Sequence, residues 1–241
     1  MIKFFRKIRQ KLIVENKISK YLLYAVGEIL LVMFGILMAL QVNNWNNNNK
    51  DKKLEIQYIS GLIIDLQEDS IAISNLIKDS DEQVRRKAKL YEYFEGQLFS
   101  NDSIYDFFSM QWGMSVSFNP ITTTFDEMKS TGRISVIQNS DLRKKIIKTY
   151  NNYQVFINGD QAHYERNRGE LRKLAFKIPR VFDVESLNNA IKPDIIEALK
   201  DNELRNGILA NYAISVNEEL EGLQRDNKQL LTRLRSYLSE I

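Results

Sequence analysis

Cysteine, proline and glycine are scarce in this sequence of 241 residues. It has no cysteine, three prolines, ten glycines and a single histidine. The lack of cysteine excludes a disulfide framework, a thiolate zinc site and a cysteine nucleophile. The scarcity of glycine and proline argues against an all-β sandwich or barrel, which needs a turn residue every few positions. The composition therefore favours long helices with few interruptions.

Motifs that carry catalysis are also missing. The sequence has no phosphate-binding glycine loop, no serine elbow and no His-Glu-x-x-His pattern. The lone His163 lacks neighbours at metal-ligand spacing, so we expect it at the surface or at the edge of the core. The sequence therefore predicts no enzyme, no cofactor and no metal site.

Basic residues are concentrated at the N-terminus. Residues 1–20 carry seven Lys or Arg and one Glu, whereas the other 221 residues carry 27 basic and 30 acidic side chains. A nucleic-acid-binding protein needs a basic face on its main domain, and the sequence after residue 20 shows no such excess of basic residues. Residues 1–20 are predicted to be a basic amphipathic tail, which either lies on an anionic membrane surface or only sets the topology.

An apolar run follows this tail. Residues 21–40 contain eleven Leu, Ile, Val or Phe, and Glu28 is their only Asp, Glu, Lys or Arg. Eleven such residues favour insertion by roughly 3–7 kcal/mol, whereas one central carboxylate costs about 2.5–3.5 kcal/mol. Twenty helical residues span about 30 Å, the thickness of a hydrocarbon core. The sequence predicts a transmembrane helix over residues 21–42.

The basic tail also predicts the orientation of this helix. Positive charge favours the cytoplasmic side, so we expect residues 1–20 in the cytoplasm and the bulk of the chain outside it. Trp45 at one end, with Tyr21 and Tyr24 at the other, is suited to anchoring at the two interfaces. No small-x-small cleavage pattern follows the apolar run, so we expect an uncleaved signal anchor.

Two stretches of the chain resemble a family of uncharacterised bacterial single-pass inner-membrane proteins. The first reads FFRKIRQKL and then YLLYAVGEILLVMFGILMALQVNNWN, with a Gly-Glu-Ile inside the span and a Leu-Gln-x-Asn-Asn-Trp ending. The second is FDEMKSTGRISVIQNSDLRKKIIKTY, residues 125–150. The resemblance implies an inner-membrane setting and a domain of unknown function, and it supplies no activity. The residues that carry its first motif are Gly27, Glu28, Ile29, Gly35, Ala39, Leu40, Gln41, Asn43, Asn44 and Trp45.

Beyond an Asn-rich linker at 43–50, the pattern predicts an all-α extracytoplasmic domain over 51–241, built as a long-helix bundle or coiled coil. Apolar residues recur at three- and four-residue steps in long helices at about 52–95, 141–178 and 202–241. Asn139 or Ser140 is suited to cap the second of these, and Asn158-Gly159 to kink it. The acidic pair Asp65 and Asp69 is expected to face solvent, as such pairs usually do on helices.

The last helix has the most regular pattern. From Leu209 to Ile241, three- and four-residue steps alternate without error, which is typical of a coiled-coil seam or a bundle core. Asn227 occupies an a-type position in this seam. It is predicted either to be a buried amide that fixes register or oligomer number or to be a polar bundle residue that faces a loop or water.

Residues 96–140 are predicted to be irregular and rich in aromatic side chains, with one short helix at about 124–131 and Gly132 as its C-cap. Phe107, Phe108 and Trp112 belong to this region. Such residues form either a partner-binding surface or the small core that closes a helical bundle.

Glu28 is the sharpest functional candidate. Gly35 and Ala39 share its face of the helix, and small residues permit close approach of a second helix. An intramembrane carboxyl usually faces protein rather than lipid. Glu28 is therefore predicted to contact another helix or to carry protons, against the alternative that it only reaches toward the membrane surface.

These features together predict a membrane-anchored scaffold or accessory subunit that acts by protein–protein interaction. The expected partners are the lipid bilayer, a second copy of the chain and another envelope membrane protein, with no nucleic acid. Two alternatives are a sensor that relays a signal through a partner and an ion-coupled accessory subunit that uses Glu28.

Overall fold

The computed structural model describes residues 18–178, 191–210 and 214–241. These residues are helical and contain no strand, so the predicted all-α class is confirmed. The predictions made for residues 1–17, 179–190 and 211–213 lie outside the described residues. The helices are α1 (Ile18–Phe94), α2 (Asn101–Gly113), α3 (Thr123–Ser130), α4 (Ser140–Phe156), α5 (Ala162–Arg172), α6 (Ile191–Ala198), α7 (Asn202–Ala210) and α8 (Ile214–Glu240).

The chain divides into two compact units, Met1–Leu54 and Glu55–Ile241. The described part of the first unit is the beginning of α1, whose apolar side chains from Leu22 to Val42 are exposed. An 18-residue window in it has a mean hydropathy of 2.2 and no buried residue. By length and composition this segment could cross a membrane, as the sequence predicts.

Residues 43–50, predicted as a linker, are helical and continue α1. Asparagine costs only about 0.7 kcal/mol or less per residue in a helix relative to alanine, whereas proline costs about 3. The segment has neither proline nor glycine. The run of asparagines is therefore a stretch of helix with low intrinsic stability, which the helical residues on either side of it stabilise.

The second unit buries one face of α1 against the helices that follow. Apolar side chains of this face have essentially no exposed surface, among them Ile59, Leu62, Leu66, Ile73 and Leu90. Helices α4 and α8 pack together, α2 packs on α6, and α5 packs on α7. These contacts form a helical bundle. The exposed side of α1 carries residues such as Ile64 and Ile71.

The long helix predicted over 141–178 is divided. Asn139 caps α4, because its Oδ1 accepts the amides of Asp141 and Leu142 at 3.1 and 3.0 Å. A single π-helical turn, Ile157–Gln161, separates α4 from α5 at the Asn158-Gly159 pair that was predicted to kink it. A 3₁₀ turn, Lys173–Lys177, follows α5.

Residues 96–140 are more regular than predicted. Besides the short helix α3, they form α2, whose first turn is capped by Ser100 through the amide of Ser103 at 3.2 Å. Gly132 ends α3 with a φ of +67°, the left-handed conformation that glycine adopts without a Cβ penalty. The sequence pattern did not indicate α2, because its aromatic residues obscure the helical spacing.

The periodic residues of α8 pack within the chain. Val216, Leu220, Leu230 and Leu234 are buried against the bundle. Asn227 is fully buried, and its Nδ2 donates to the backbone oxygen of Leu66 at 3.0 Å and to Tyr153 Oη at 2.7 Å. The alternative in which Asn227 faces a loop or water is therefore wrong, and its role in register or oligomer number stays a prediction.

We expect Asn227→Leu to lower the free energy of unfolding without changing the oligomeric state of the protein. Leucine removes the donor from two buried acceptors, and an orphaned buried polar group costs about 1–3 kcal/mol. Chemical denaturation and analytical ultracentrifugation of the full chain in detergent measure both quantities. Asn151→Leu on the exposed side of α4 is the matched control. A more stable Asn227→Leu protein with an altered mass would instead assign Asn227 to an interface between copies.

Candidate functional site

The first candidate site is the face of α1 that carries Glu28, Gly35 and Ala39. Glu28 is half-buried, whereas Gly35 and Ala39 are exposed. A Cβ built on Gly35 meets no atom within 4 Å. Among the described residues, none fills the space beside Gly35, and a second helix has room to approach there.

The predicted interfacial anchors lie on the same helix. The Trp45 side chain is 67% exposed. Tyr21 and Tyr24 are in the helix, but their side chains lie outside the described residues. Their role as membrane anchors stays a prediction.

The aromatic residues predicted as a partner surface pack largely into the core. Phe108 is 3% exposed and stacks on Trp112 with ring centroids 5.5 Å apart. Phe107 packs edge-to-face on Phe99, and both Phe107 and Trp112 are partly buried. The cluster they join brings together α1, α2, α5, α6 and α7. The core alternative is therefore the one the contacts favour, because α2 turns these rings toward its neighbouring helices.

A set of buried polar residues on α1 was not predicted. The buried side chains of this set are Glu55, Asp65, Asp69, Ser80 and Gln83. Asp65 and Asp69 were expected to face solvent, and this expectation is wrong. The missed signal is their spacing: Asp65 follows Leu62 and Asp69 follows Leu66 by three residues, which places both acids on the buried face of the helix.

Three of these carboxylates bind backbone amides of the segment between α2 and α4. Asp69 Oδ1 accepts the Ile121 amide at 2.8 Å, and Asp65 Oδ2 accepts the Thr124 amide at 3.1 Å. Glu55 Oε1 accepts the Gln138 amide at 2.6 Å. Each carboxylate therefore replaces a hydrogen bond that the segment would otherwise make with water.

Gly61 allows this segment to approach α1 closely. A Cβ on Gly61 would lie 2.8 Å from Thr124 Oγ1 and 3.0 Å from Thr124 Cγ2. Any larger side chain at position 61 would displace the Thr124 side chain at the start of α3.

The electrostatics around Asp69 are unfavourable to its charge. Burial raises the pKa of the Asp69 carboxyl to about 6, and the charges of Asp65 and Glu68 add to the rise, although the Ile121 amide opposes it. Burial also raises the pKa of the Tyr150 and Tyr153 hydroxyls. Four buried oxygens of this region lack a hydrogen-bond partner: Asp69 Oδ2, Thr149 Oγ1, Tyr150 Oη and Asn227 Oδ1.

A second buried polar group lies further along α1. Gln83 Nε2 donates to Tyr164 Oη at 3.0 Å, and Gln111 Nε2 donates to the backbone oxygen of Gln83 at 2.8 Å. These bonds connect α1, α5 and α2. They orient the helices rather than form a site open to a ligand.

No group of three metal-ligating side chains occurs within residues 18–178, 191–210 and 214–241. His163 is exposed, and its Nε2 lies 3.1 Å from Asn167 Nδ2. It therefore has the surface position that the sequence predicts.

The fold defines an all-α protein with one N-terminal apolar helix long enough to cross a membrane. The chain belongs to a family of unknown function, DUF6090, whose model matches residues 28–208. The match begins at Glu28 and ends at Ile208, before α8, which agrees with the predicted uncharacterised domain. Searches of curated proteins and of solved structures found no match.

We expect Phe108→Ala to lower the free energy of unfolding by about 3–5 kcal/mol, the usual cost of deleting a buried aromatic side chain. Leu98→Ala is the control, because Leu98 is 93% exposed and its truncation should change stability by no more than about 0.5 kcal/mol. Urea denaturation of the full chain measures both. If both variants change the free energy of unfolding by the same small amount, Phe108 would instead belong to the predicted partner surface.

Proposed function

We propose that this protein is a membrane-anchored helical scaffold or accessory subunit that acts by binding other membrane proteins, and that it catalyses no reaction. The observation that carries the proposal is the face of α1 with Glu28, Gly35 and Ala39. It lies on a helix whose apolar side chains are exposed from Leu22 to Val42.

A carboxyl group in the hydrocarbon layer is costly unless it faces protein. Gly35 and Ala39 follow Glu28 at seven and eleven residues, so all three share one side of the helix. A helix that packs there would cover the small residues and offer Glu28 a hydrogen bond. Such a contact suits a second copy of this chain or another envelope membrane protein.

The proposed location is the bacterial inner membrane, with residues 1–20 in the cytoplasm and residues 51–241 in the periplasm. The seven basic residues of the tail and the lack of charge between Gln41 and Asn49 support this orientation. Trp45, beyond the apolar run, would then lie at the outer interface.

We expect Glu28→Gln to weaken the assembly that this helix forms. Glutamine keeps the size and one acceptor of the side chain but cannot bind a cationic partner or carry a proton. Purification of the tagged full chain from native membranes in mild detergent, followed by mass measurement and identification of associated proteins, compares the two forms. Loss of a hetero-complex or homo-oligomer from the variant would support the proposal.

Two substitutions that place a larger side chain on opposite sides of the helix form a matched pair of variants. Gly35→Leu fills the face that Glu28 shares, where the chain leaves open space. Val26→Leu adds bulk on the opposite side, because residues nine apart on a helix are about 180° apart. Only Gly35→Leu should disrupt the assembly. A monomer that is indifferent to Glu28→Gln and to Gly35→Leu would contradict the proposal.

Glu28 also favours a second candidate, an ion-coupled accessory subunit in which this carboxyl takes up and releases a proton. In that case Glu28→Gln would abolish function while expression and assembly stay normal, and Glu28→Asp would retain part of it. A Glu28→Gln protein that functions like the wild type would rule this candidate out.

A further inference from the structure

The start of α3 is held on α1 by two buried acids. Asp65 and Asp69 are one turn apart and are 8% and 1% exposed. They accept the amides of Thr124 and Ile121, so the whole turn from Ile121 to Thr124 is bound at both ends. We refer to these two carboxyl groups and residues 121–124 as the carboxyl latch.

The groups around the latch are acidic or neutral on most sides. On α1, Glu68 adds a negative charge close to Asp69. From α3, Asp126 faces the same region, and from α4 come the hydroxyls of Tyr150 and Tyr153. From α8, Asp226 faces Tyr153, and its charge is balanced by Lys145 of α4 at 2.7 Å.

One oxygen of the Asp69 carboxyl group is placed so that it can carry a proton. Asp69 Oδ1 binds the Ile121 amide, but the buried Asp69 Oδ2 has no hydrogen-bond partner among the described residues. The hydroxyl of Tyr150, 2% exposed, is likewise unpartnered and interacts electrostatically with both Asp65 and Asp69. A proton on Asp69 Oδ2 would remove the repulsion between the two acids and leave the bond from Ile121 to Oδ1 in place.

We propose that the carboxyl latch is a pH-sensitive device that holds the start of α3 on α1 more tightly when Asp69 is protonated. Protonation neutralises one of two buried like charges, and ionisation restores the repulsion. The inference concerns the second unit alone and does not depend on the function proposed for Glu28.

The direction of the effect follows from the two states of Asp69. When α3 is released, Asp69 meets water and its pKa returns to the ordinary value of 3.8, whereas in the closed latch it is about 6. The closed latch therefore takes up a proton between these values, and the stabilisation is lost as pH rises through about 6. Over this interval the open fraction should increase by up to about a hundredfold.

The chain lacks cysteine, so a single introduced thiol can report opening of the latch. Met128→Cys places it on the buried side of α3, and Ile208→Cys places it in the cluster around Leu204, away from the latch. The rate of maleimide labelling of the full chain in detergent is measured for both at about pH 5 and about pH 8. Dividing the first rate by the second removes the pH dependence of the thiol itself.

We expect this ratio to rise about tenfold from about pH 5 to about pH 8, because part of the change between the two pKa values lies below pH 5. In an Asp69→Asn background it should stay low at both pH values, because asparagine resembles the protonated acid in shape and charge. A ratio that is independent of pH, or that rises toward acid, would overturn the proposal.

Two further variants separate protonation from packing. Gly61→Ala should push Thr124 away from α1 and raise the ratio at both pH values without removing its pH dependence. Glu68→Gln removes an exposed neighbouring charge and should move the transition to lower pH.

Infrared spectroscopy of the full chain keeps the proposal testable if a cysteine variant fails to fold. The difference between the wild-type and Asp69→Asn spectra should contain the C=O band of a protonated carboxyl at about pH 5, and this difference band should be lost by about pH 8. A wild-type spectrum without this band, or a latch that closes on addition of sodium or potassium rather than of acid, would contradict a proton at Asp69.

Discussion

The second unit depends on three carboxylates that α1 turns inward. Glu55, Asp65 and Asp69 each accept a backbone amide from the segment between α2 and α4. A buried charge is tolerated only where hydrogen bonds replace water, and backbone amides offer such bonds without needing a basic side chain. The irregular part of the chain is thereby fixed to α1 at three points, which in turn positions α3 and the beginning of α4.

The same constraint explains why the interior of this bundle is so polar. Gln83 binds both Gln111 and Tyr164 across three helices, and Asn227 joins α8 to Leu66 of α1 and Tyr153 of α4. Apolar contacts alone allow helices to slide, whereas a buried amide that must find its partners favours one register. This precision has a cost at Asp69, whose carboxyl group is held near a second acid with one oxygen unpartnered.

The two units are both helical, but their apolar side chains face in opposite directions. In the first, apolar side chains face outward along α1 and Glu28 is the exception among them. In the second, apolar side chains face inward and the buried carboxylates are the exceptions. In each unit, the residue that breaks the pattern is the one with chemical consequences: Glu28 for the proposed assembly and Asp69 for the proposed pH response.

The sequence by itself determined the helical class, the apolar segment around Glu28, a cap at Asn139 or Ser140 and the glycine that ends α3. These features depend on local composition, on periodicity and on residues only a few positions apart. Whether Asp65 faced solvent or a distant amide depended on Thr124, 59 residues away, and the aromatic rings of α2 depended on helices that follow much later. Only the tertiary structure decided these positions, because a buried polar residue on a helix looks like an exposed one until the partner that satisfies it is brought alongside.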